Sequence, residues 1–183
     1  MNPTEYFPQA LTLNLLALVQ SFCNNITKGR EPNQIIARNG SPYLFRWMLG
    51  RKMEFPSFDN GKLNGMSADW FPSEIENIYL HKFIRSDRDD PHSHPWGNVT
   101  LVVSGSYDED VFINDDQTHV GTFHRTAGDI VVRRPNAIHA ITHTSEDCVT
   151  LFVTGPKMQD WGFYQDGQFI PDGAYQANSV IDA

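Results

Sequence analysis

From Asn77 to Gly155 the chain is a succession of short β-branched and aromatic runs: "NIYLHKFIR", "NVTLVVSGSYDE", "DVFIND", "THVGTFHRT", "DIVVRRP", "IHAITH" and "CVTLFVTG". Gly, Pro, Asn or Asp interrupts them about every 8 to 12 residues, the spacing of strands in a sandwich or small barrel. No internal repeat or low-complexity segment accompanies them. With 183 residues there is chain enough for one well-packed core and too little for two comfortable domains. The expectation is a mainly β, single-barrel chain.

The remainder reads as additions to that barrel. From about Pro8 to Asn25, Leu11, Leu15, Leu18 and Phe22 recur at helical spacing, with Leu16 and Val19 widening the stripe, which predicts an amphipathic helix laid on the outside of a sheet. "NNITKGREPNQ" is a loop by composition. "SPYLFRWMLGRK" reads as a strand with Tyr43, Phe45, Trp47 and Leu49 on one side. The stretch Met53 to Ser73 is dense in turn formers and reads as a surface loop holding Trp70 and Phe71 inward. "PDGAYQANSVIDA" is polar and reads as a loosely held tail. The expected division is helix and loop over 1–40, barrel over 41–170 and tail over 171–183.

The formal charge of −8 argues against a nucleic-acid partner, whose phosphates call for clustered Lys and Arg. No window holds the ~18 uninterrupted apolar residues of a membrane span, and no basic flank marks a signal peptide. A cytoplasmic protein is expected. Cys23 and Cys148 are too few and too far apart in type of segment to frame a disulfide scaffold, and they read as small buried hydrophobes. There is no P-loop, no GxGxxG and no G-x-S-x-G, so ATP-driven, dinucleotide-dependent and serine-hydrolase chemistry is unsupported.

Among seven histidines, His92 and His94 stand in "PHSHPW", between a charged turn and an apolar run. On extended backbone, residues i and i+2 project to one face. The pair can therefore aim two imidazoles at one point, two of the ligands a divalent ion needs. Pro91 and Pro95 stiffen the flanks, and Trp96 supplies an apolar wall. The competing reading is a pair of packing histidines.

The frame around the pair favours the metal. Asn98 lies four residues past His94, Gly105 closes the strand, and "GDIVVRRPNAIHAI" follows, with Gly128 opening a strand, Pro135 ending it and His139 opening the next. This resembles the two signature segments of the cupin superfamily, over roughly Tyr79 to Gly155. More narrowly it resembles small bacterial and phage-type cupin proteins with an HxHPW motif. The resemblance implies a double-stranded β-helix (cupin/jelly-roll) barrel with an N-terminal helical extension and a metal in its mouth, and carries His92, His94 and His139 over as ligands. Asn98 stands where many cupins place a Glu ligand, and Ala137 stands where their second segment has a Gly. What remains is a three-imidazole set, which leaves a divalent charge uncompensated and positions open. That set is similar to the one in cupin dioxygenases, so Fe(II) is favoured, with Ni, Mn, Co or Zn also able to accept imidazoles. The implied function is a mononuclear non-haem Fe(II) dioxygenase acting on a small acidic metabolite. A cupin sugar isomerase or epimerase and a non-catalytic small-ligand barrel are the alternatives, and a homodimer is in keeping with the resemblance.

Other residues stay open at this stage. Arg85 shares parity with His81 and Tyr79 and reads either as a clamp for a substrate carboxylate or as the partner of Asp87 or Asp89. His81 reads as an acid/base candidate or a satisfied core histidine. Tyr107 reads as a substrate-contacting phenol and proton donor, or as a barrel-end cap. Only one of the adjacent Arg133 and Arg134 can enter the barrel. In "GPKMQDWGF", Trp161 and Phe163 are placed to fold over an opening, and Lys157 to reach an anion there. His119, His124 and His143 read as surface residues.

Overall fold

The apolar runs pair antiparallel because each can bury one face only against a neighbouring sheet. The computed structural model describes residues 4–7, 13–38, 41–54, 62–63, 66–67, 74–86, 90–113 and 118–175. The first half supplies β1 (Thr4–Phe7), α1 (Leu13–Gly29), β2 (Gln34–Arg38) and the long β3 (Ser41–Glu54). The short β4 (Lys62–Leu63) and β5 (Met66–Ser67) pair with each other, and β6 (Glu74–Phe83) follows. The second half supplies β7 (Asn98–Ser104), β8 (Ser106–Ile113), β9 (Thr118–Thr126), β10 (Ile130–Arg133) and β11 (Ile138–Thr144). It ends with β12 (Val149–Thr154), β13 (Gly162–Gln165) and β14 (Gln168–Pro171).

A seven-stranded sheet runs β1-β10-β7-β12-β6-β3-β2, and a three-stranded sheet runs β11-β8-β9. Their facing sides bury Leu44, Phe83, Val102, Tyr107 and Cys148 in one cluster. Strand parity sorts the large sheet. Arg46, Tyr79, His81, Thr100, Val102, Thr150 and Phe152 occupy paired, same-face positions turned inward. Trp47, Leu80, Val103 and Val149 turn outward and pack under α1 with Cys23 and Ile26. Each such side chain taken from water contributes roughly 1.5–3 kcal/mol before entropy. Gln20 Nε2 donates to Val103 O at 2.8 Å, and Trp47 Nε1 donates to Arg30 O at 2.9 Å, tying the middle of the helix and the residue just past its C-terminal end to the sheet.

The sandwich of strands, the shared side of Phe45, Trp47 and Leu49 on β3 and the helix on the sheet agree with the sequence reading, whereas Tyr43, expected on that same side, packs against the inter-sheet cluster. Three features differ. The helix buries Cys23 and Ile26, with Val19 packed beside them, while Leu15, Leu18 and Phe22 of the expected stripe stay exposed. Two overlapping apolar stripes exist on α1, and the sheet accepts the one formed by Leu16, Val19, Cys23 and Ile26. The N-terminal segment is not helix and loop alone, since β1 and β2 form the two edges of the large sheet. The tail, too, is held as far as Tyr175, whose ring stacks 3.8 Å from Phe163 and whose hydroxyl donates to Asp90 Oδ2 at 3.2 Å. Trp70, Phe71 and the rest of the expected Met53–Ser73 loop, apart from Met53, Glu54, β4 and β5, lie outside the described residues, as does the tail beyond Tyr175. Among the described residues no helix is long and apolar enough to cross a membrane.

Gly105 makes the turn from β7 into β8 at φ 66°, and a Cβ there would lie 2.8 Å from Cys148 Cα. No side-chain rotation relieves a backbone clash. Gly105→Ala is therefore expected to cost about 2 kcal/mol or more, read as a fall in thermal midpoint of roughly 4–8 °C.

Candidate metal centre

His92 and His94 do not sit on a regular strand. His92 forms isolated antiparallel bridges to Phe163 on one side and His139 on the other. His92 N donates to His139 O at 2.9 Å, and His139 N returns a bond to His92 O at 3.0 Å. The residue is thus a one-residue strand stitched between β13 and β11. That pairing, rather than the H-x-H spacing alone, sets His92 beside His139. The next turn is held by "GPKMQDWGF". Met158 N and Gln159 N donate to Pro95 O, and the Gln159 amide donates to His94 O at 3.0 Å and to Pro135 O at 2.8 Å. Gln159 therefore ties the His94 turn to the turn that precedes His139.

The three histidines converge. One ligand atom from each lies within 4.8 Å of the others, and ring centroids are 4.8 to 5.2 Å apart. His139 Nδ1 lies 2.8 Å from Glu109 Oε1, and His92 Nδ1 lies 3.3 Å from Asp90 O. Carboxylate and carbonyl oxygens only accept, so both Nδ1 atoms carry the proton and both Nε2 atoms present lone pairs. His94 Nε2 sits 2.9 Å from His139 Nε2. Two imidazole nitrogens so close require a proton or a cation between them. Cis ligands of an octahedral ion at about 2.1 Å lie about 3.0 Å apart, so this pair fits a divalent metal. The widest permissible separation at such an ion is about 4.2 Å, and a ring shift of under ~1 Å brings the third imidazole within it.

The charge state also suits ligation. Burial first, then His139, His92, Arg133 and Arg46, hold His94 well below the usual imidazole range. Burial and Arg133 lower His139, with Glu109 acting in the opposite direction. Neutral imidazole is the ligating form. Asn98, buried at the start of β7 on the inward face, has both amide atoms without a hydrogen-bond partner among the described residues. That is the arrangement expected where a bound group completes the wall.

Behind His139 lies a buried charge network that the sequence reading missed. Glu109, fully buried, accepts from Arg125 Nε at 3.0 Å on one oxygen and from Arg133 Nε at 2.8 Å and Arg133 Nη2 on the other. Arg133 also donates to Thr100 Oγ1 at 3.0 Å and to Tyr107 Oη at 3.2 Å. Burial alone would raise the Glu109 carboxyl, but Arg133, then His139 and Arg125, outweigh it and hold it well below the usual carboxylate range. A signal was available: in "SYDEDVFI", Glu109 shares parity with Tyr107 and Val111, whereas Asp108 and Asp110 do not.

The other expected residues fall as follows. Arg133 enters the interior and Arg134 does not. Arg85 is not brought to the histidines: its guanidinium donates to Ser41 O and Ser86 O at 3.1 Å and lies over the Tyr43 ring. The shared parity with His81 misled because β6 ends at Phe83. His81 is buried, accepts at Nε2 from Arg46 Nε at 2.9 Å, and stacks between Tyr79 and Phe152. Tyr107 is buried in the inter-sheet cluster, and burial pushes its phenol up to about 12. Trp96 is half-buried in the histidine turn, its Nε1 without a partner among the described residues. His119, His124 and His143 are exposed. Lys157 pairs with Asp160 at the surface.

No family model matches the chain, and no curated protein matches it. Solved structures do. An oxidoreductase of the 2OG-Fe(II) oxygenase family from Burkholderia pseudomallei superposes with a TM-score of 0.57 at 15% identity, covering 86% of this chain and 89% of that one. A chain from the crystal structures of the DMSP lyases RdDddP and RnDddQII is similar at TM-score 0.38 and 21% identity, over 49% of this chain and 44% of that one. The Mn(II)-containing oxalate decarboxylase of Bacillus subtilis is similar at TM-score 0.43 and 15% identity, over 73% of this chain and 30% of that one. The match thus spans less than half the length of the lyase and decarboxylase chains.

Replacing Glu109 by Gln keeps the shape and strands two buried guanidinium charges. The expected outcome is a loss of about 3–5 kcal/mol in urea unfolding, together with metal retention weakened roughly 10- to 100-fold through the released His139 ring.

Proposed function

A barrel with the cupin fold and three converging histidines is the premise from which we propose a metal-dependent enzyme, a mononuclear non-haem Fe(II) dioxygenase acting on a small acidic metabolite. The observation that carries this reading is the 2.9 Å approach of His94 Nε2 to His139 Nε2, with His92 alongside. His92, His94 and His139 would hold the ion as neutral donors. A three-imidazole set adds no negative charge, so an anionic ligand would gain the full attraction of a divalent centre. Iron(II) held there would supply O₂ activation.

The chain's own groups do the rest. Glu109 fixes the His139 ring and its tautomer, and Arg125 and Arg133 fix Glu109. Phe152 and Phe163, at 5.9 Å from His94 and 5.5 Å from His92 by ring centroid, wall the histidines with apolar surface and exclude water. Both oxygen atoms enter the substrate, which supplies all the electrons, so the reaction needs no external reductant.

Metal content by mass spectrometry on untagged protein tests the reading, comparing wild type with His92→Ala and His139→Ala. Near-stoichiometric metal lost in both variants is expected, with iron restoring substrate-dependent O₂ uptake. Zinc as the native ion would move the reading to Lewis-acid chemistry. Wild type that takes up no metal from Fe(II), Mn(II), Ni(II) or Zn(II) would overturn it.

A further inference from the structure

Arg46 is the charge this interior leaves unanswered. It projects inward from β3, opposite Gln34 on one side and His81 on the other. Nε donates to His81 Nε2 at 2.9 Å, Nη1 donates to Gln34 Oε1 at 3.3 Å, and the guanidinium lies 4.8 Å over the Tyr79 ring. Every one of these partners is neutral, and among the described residues no carboxylate pairs with Arg46. Burial works against its charge, and the groups that favour the charge are the phenols of Tyr79 and Tyr43. A half-buried guanidinium whose partners among the described residues are all neutral is a ready site for an anion.

The surroundings say where that anion sits. His81 stacks on Phe152 at 5.2 Å, and the Phe152 ring lies 5.9 Å from that of His94. The guanidinium and the His94 ring are thus linked along one inward face through His81 and Phe152. Behind His139, Glu109 is paired with both Arg125 and Arg133. Because His81 Nε2 accepts from Arg46, its proton is on Nδ1, and burial first, then Arg46, keep the ring neutral. His81 so aligns Arg46 without competing with it for an anion.

We propose that Arg46, aligned by His81 and Gln34, anchors the carboxylate of the substrate, which is a short-chain organic acid bearing a second oxygen, nitrogen or sulfur donor within a few atoms of that carboxylate. The stacking distances of 5.2 and 5.9 Å bound the separation of the His81 and His94 rings, so one molecule can present a donor to the histidines and a carboxylate to Arg46. The anchor is placed on β3 rather than at Arg85, whose guanidinium donates to the Ser41 and Ser86 carbonyls. The inference rests on the metal reading above for the second donor and is independent of it for the carboxylate.

Calorimetric titration with acetate, lactate and oxalate, and with lactamide as the neutral counterpart of lactate, tests the anchor. Wild type, Arg46→Gln, Arg46→Lys and Arg85→Gln are compared after metal loading, with the metal content of each measured separately. Loss of one charge-assisted pair predicts binding weakened about 10- to 100-fold in Arg46→Gln, partial recovery in Arg46→Lys, and wild-type behaviour in Arg85→Gln. Metal content should be unchanged in all three, and lactamide should bind no better to wild type than to Arg46→Gln. If wild type holds no metal, the metal reading fails, and the same titration of the metal-free protein still decides the anchor by its dependence on Arg46. Circular dichroism identifies any misfolded variant, and Arg46→Lys then carries the comparison. Equal binding of lactate and lactamide, equal affinity in wild type and both Arg46 variants, or no binding of any of the acids at millimolar concentration would overturn the proposal.

Discussion

A single buried carboxylate joins the two sheets to each other and to the histidines. Glu109 stands on the small sheet, yet one of its oxygens is held by Arg133 of the large sheet. Its other oxygen takes Arg125 from the neighbouring strand, and His139 completes the set. A carboxylate in an apolar interior is tolerated only with such full compensation. The compensation in turn requires that β8, β9, β10 and β11 be in register. The electrostatics of the core and the geometry of the metal centre are therefore one problem, solved once.

The remaining histidines are placed by backbone rather than by charge. His92 is bonded on both sides, to β11 and to β13, and the Gln159 amide bridges the two turns that carry His94 and Pro135. Convergence of three rings on one point thus depends on main-chain hydrogen bonds whose lengths vary little, which is the kind of support a metal site needs for rigid ligand placement. The rings' own rotations remain as the only adjustment, and apolar neighbours restrict those.

Much of this was legible in the residues. Strand breaks fall at Gly, Pro, Asn and Asp because those residues suit turns, as the left-handed Gly105 and Asp166 illustrate. His92, His94 and His139 could be picked out by spacing and by resemblance, and the structure brings them together. The helix face was not legible, since two apolar stripes overlap on α1 and nothing local distinguishes the one the sheet accepts. Glu109 was legible in principle by parity but stands among three consecutive acids that look like a solvated edge. Arg46 was not, because its significance is that no acidic partner meets it among the described residues, a property of the assembled interior. For Arg85, parity with His81 stops being a guide beyond Phe83, the last residue of β6.

The two kinds of arginine in this interior differ in what the fold demands of them. Arg133 is committed on every side, to Glu109, Thr100 and Tyr107, so a change there disturbs the joint between the sheets before it alters any ligand. Arg46 is bonded only to neutral side chains, and its removal strands no buried charge. Descendants of such a chain can exchange the residue on β3 and sample new ligands at little risk to the scaffold, while the Glu109 network stays fixed. Diversification of chemistry in this barrel is channelled to the wall that bears Arg46.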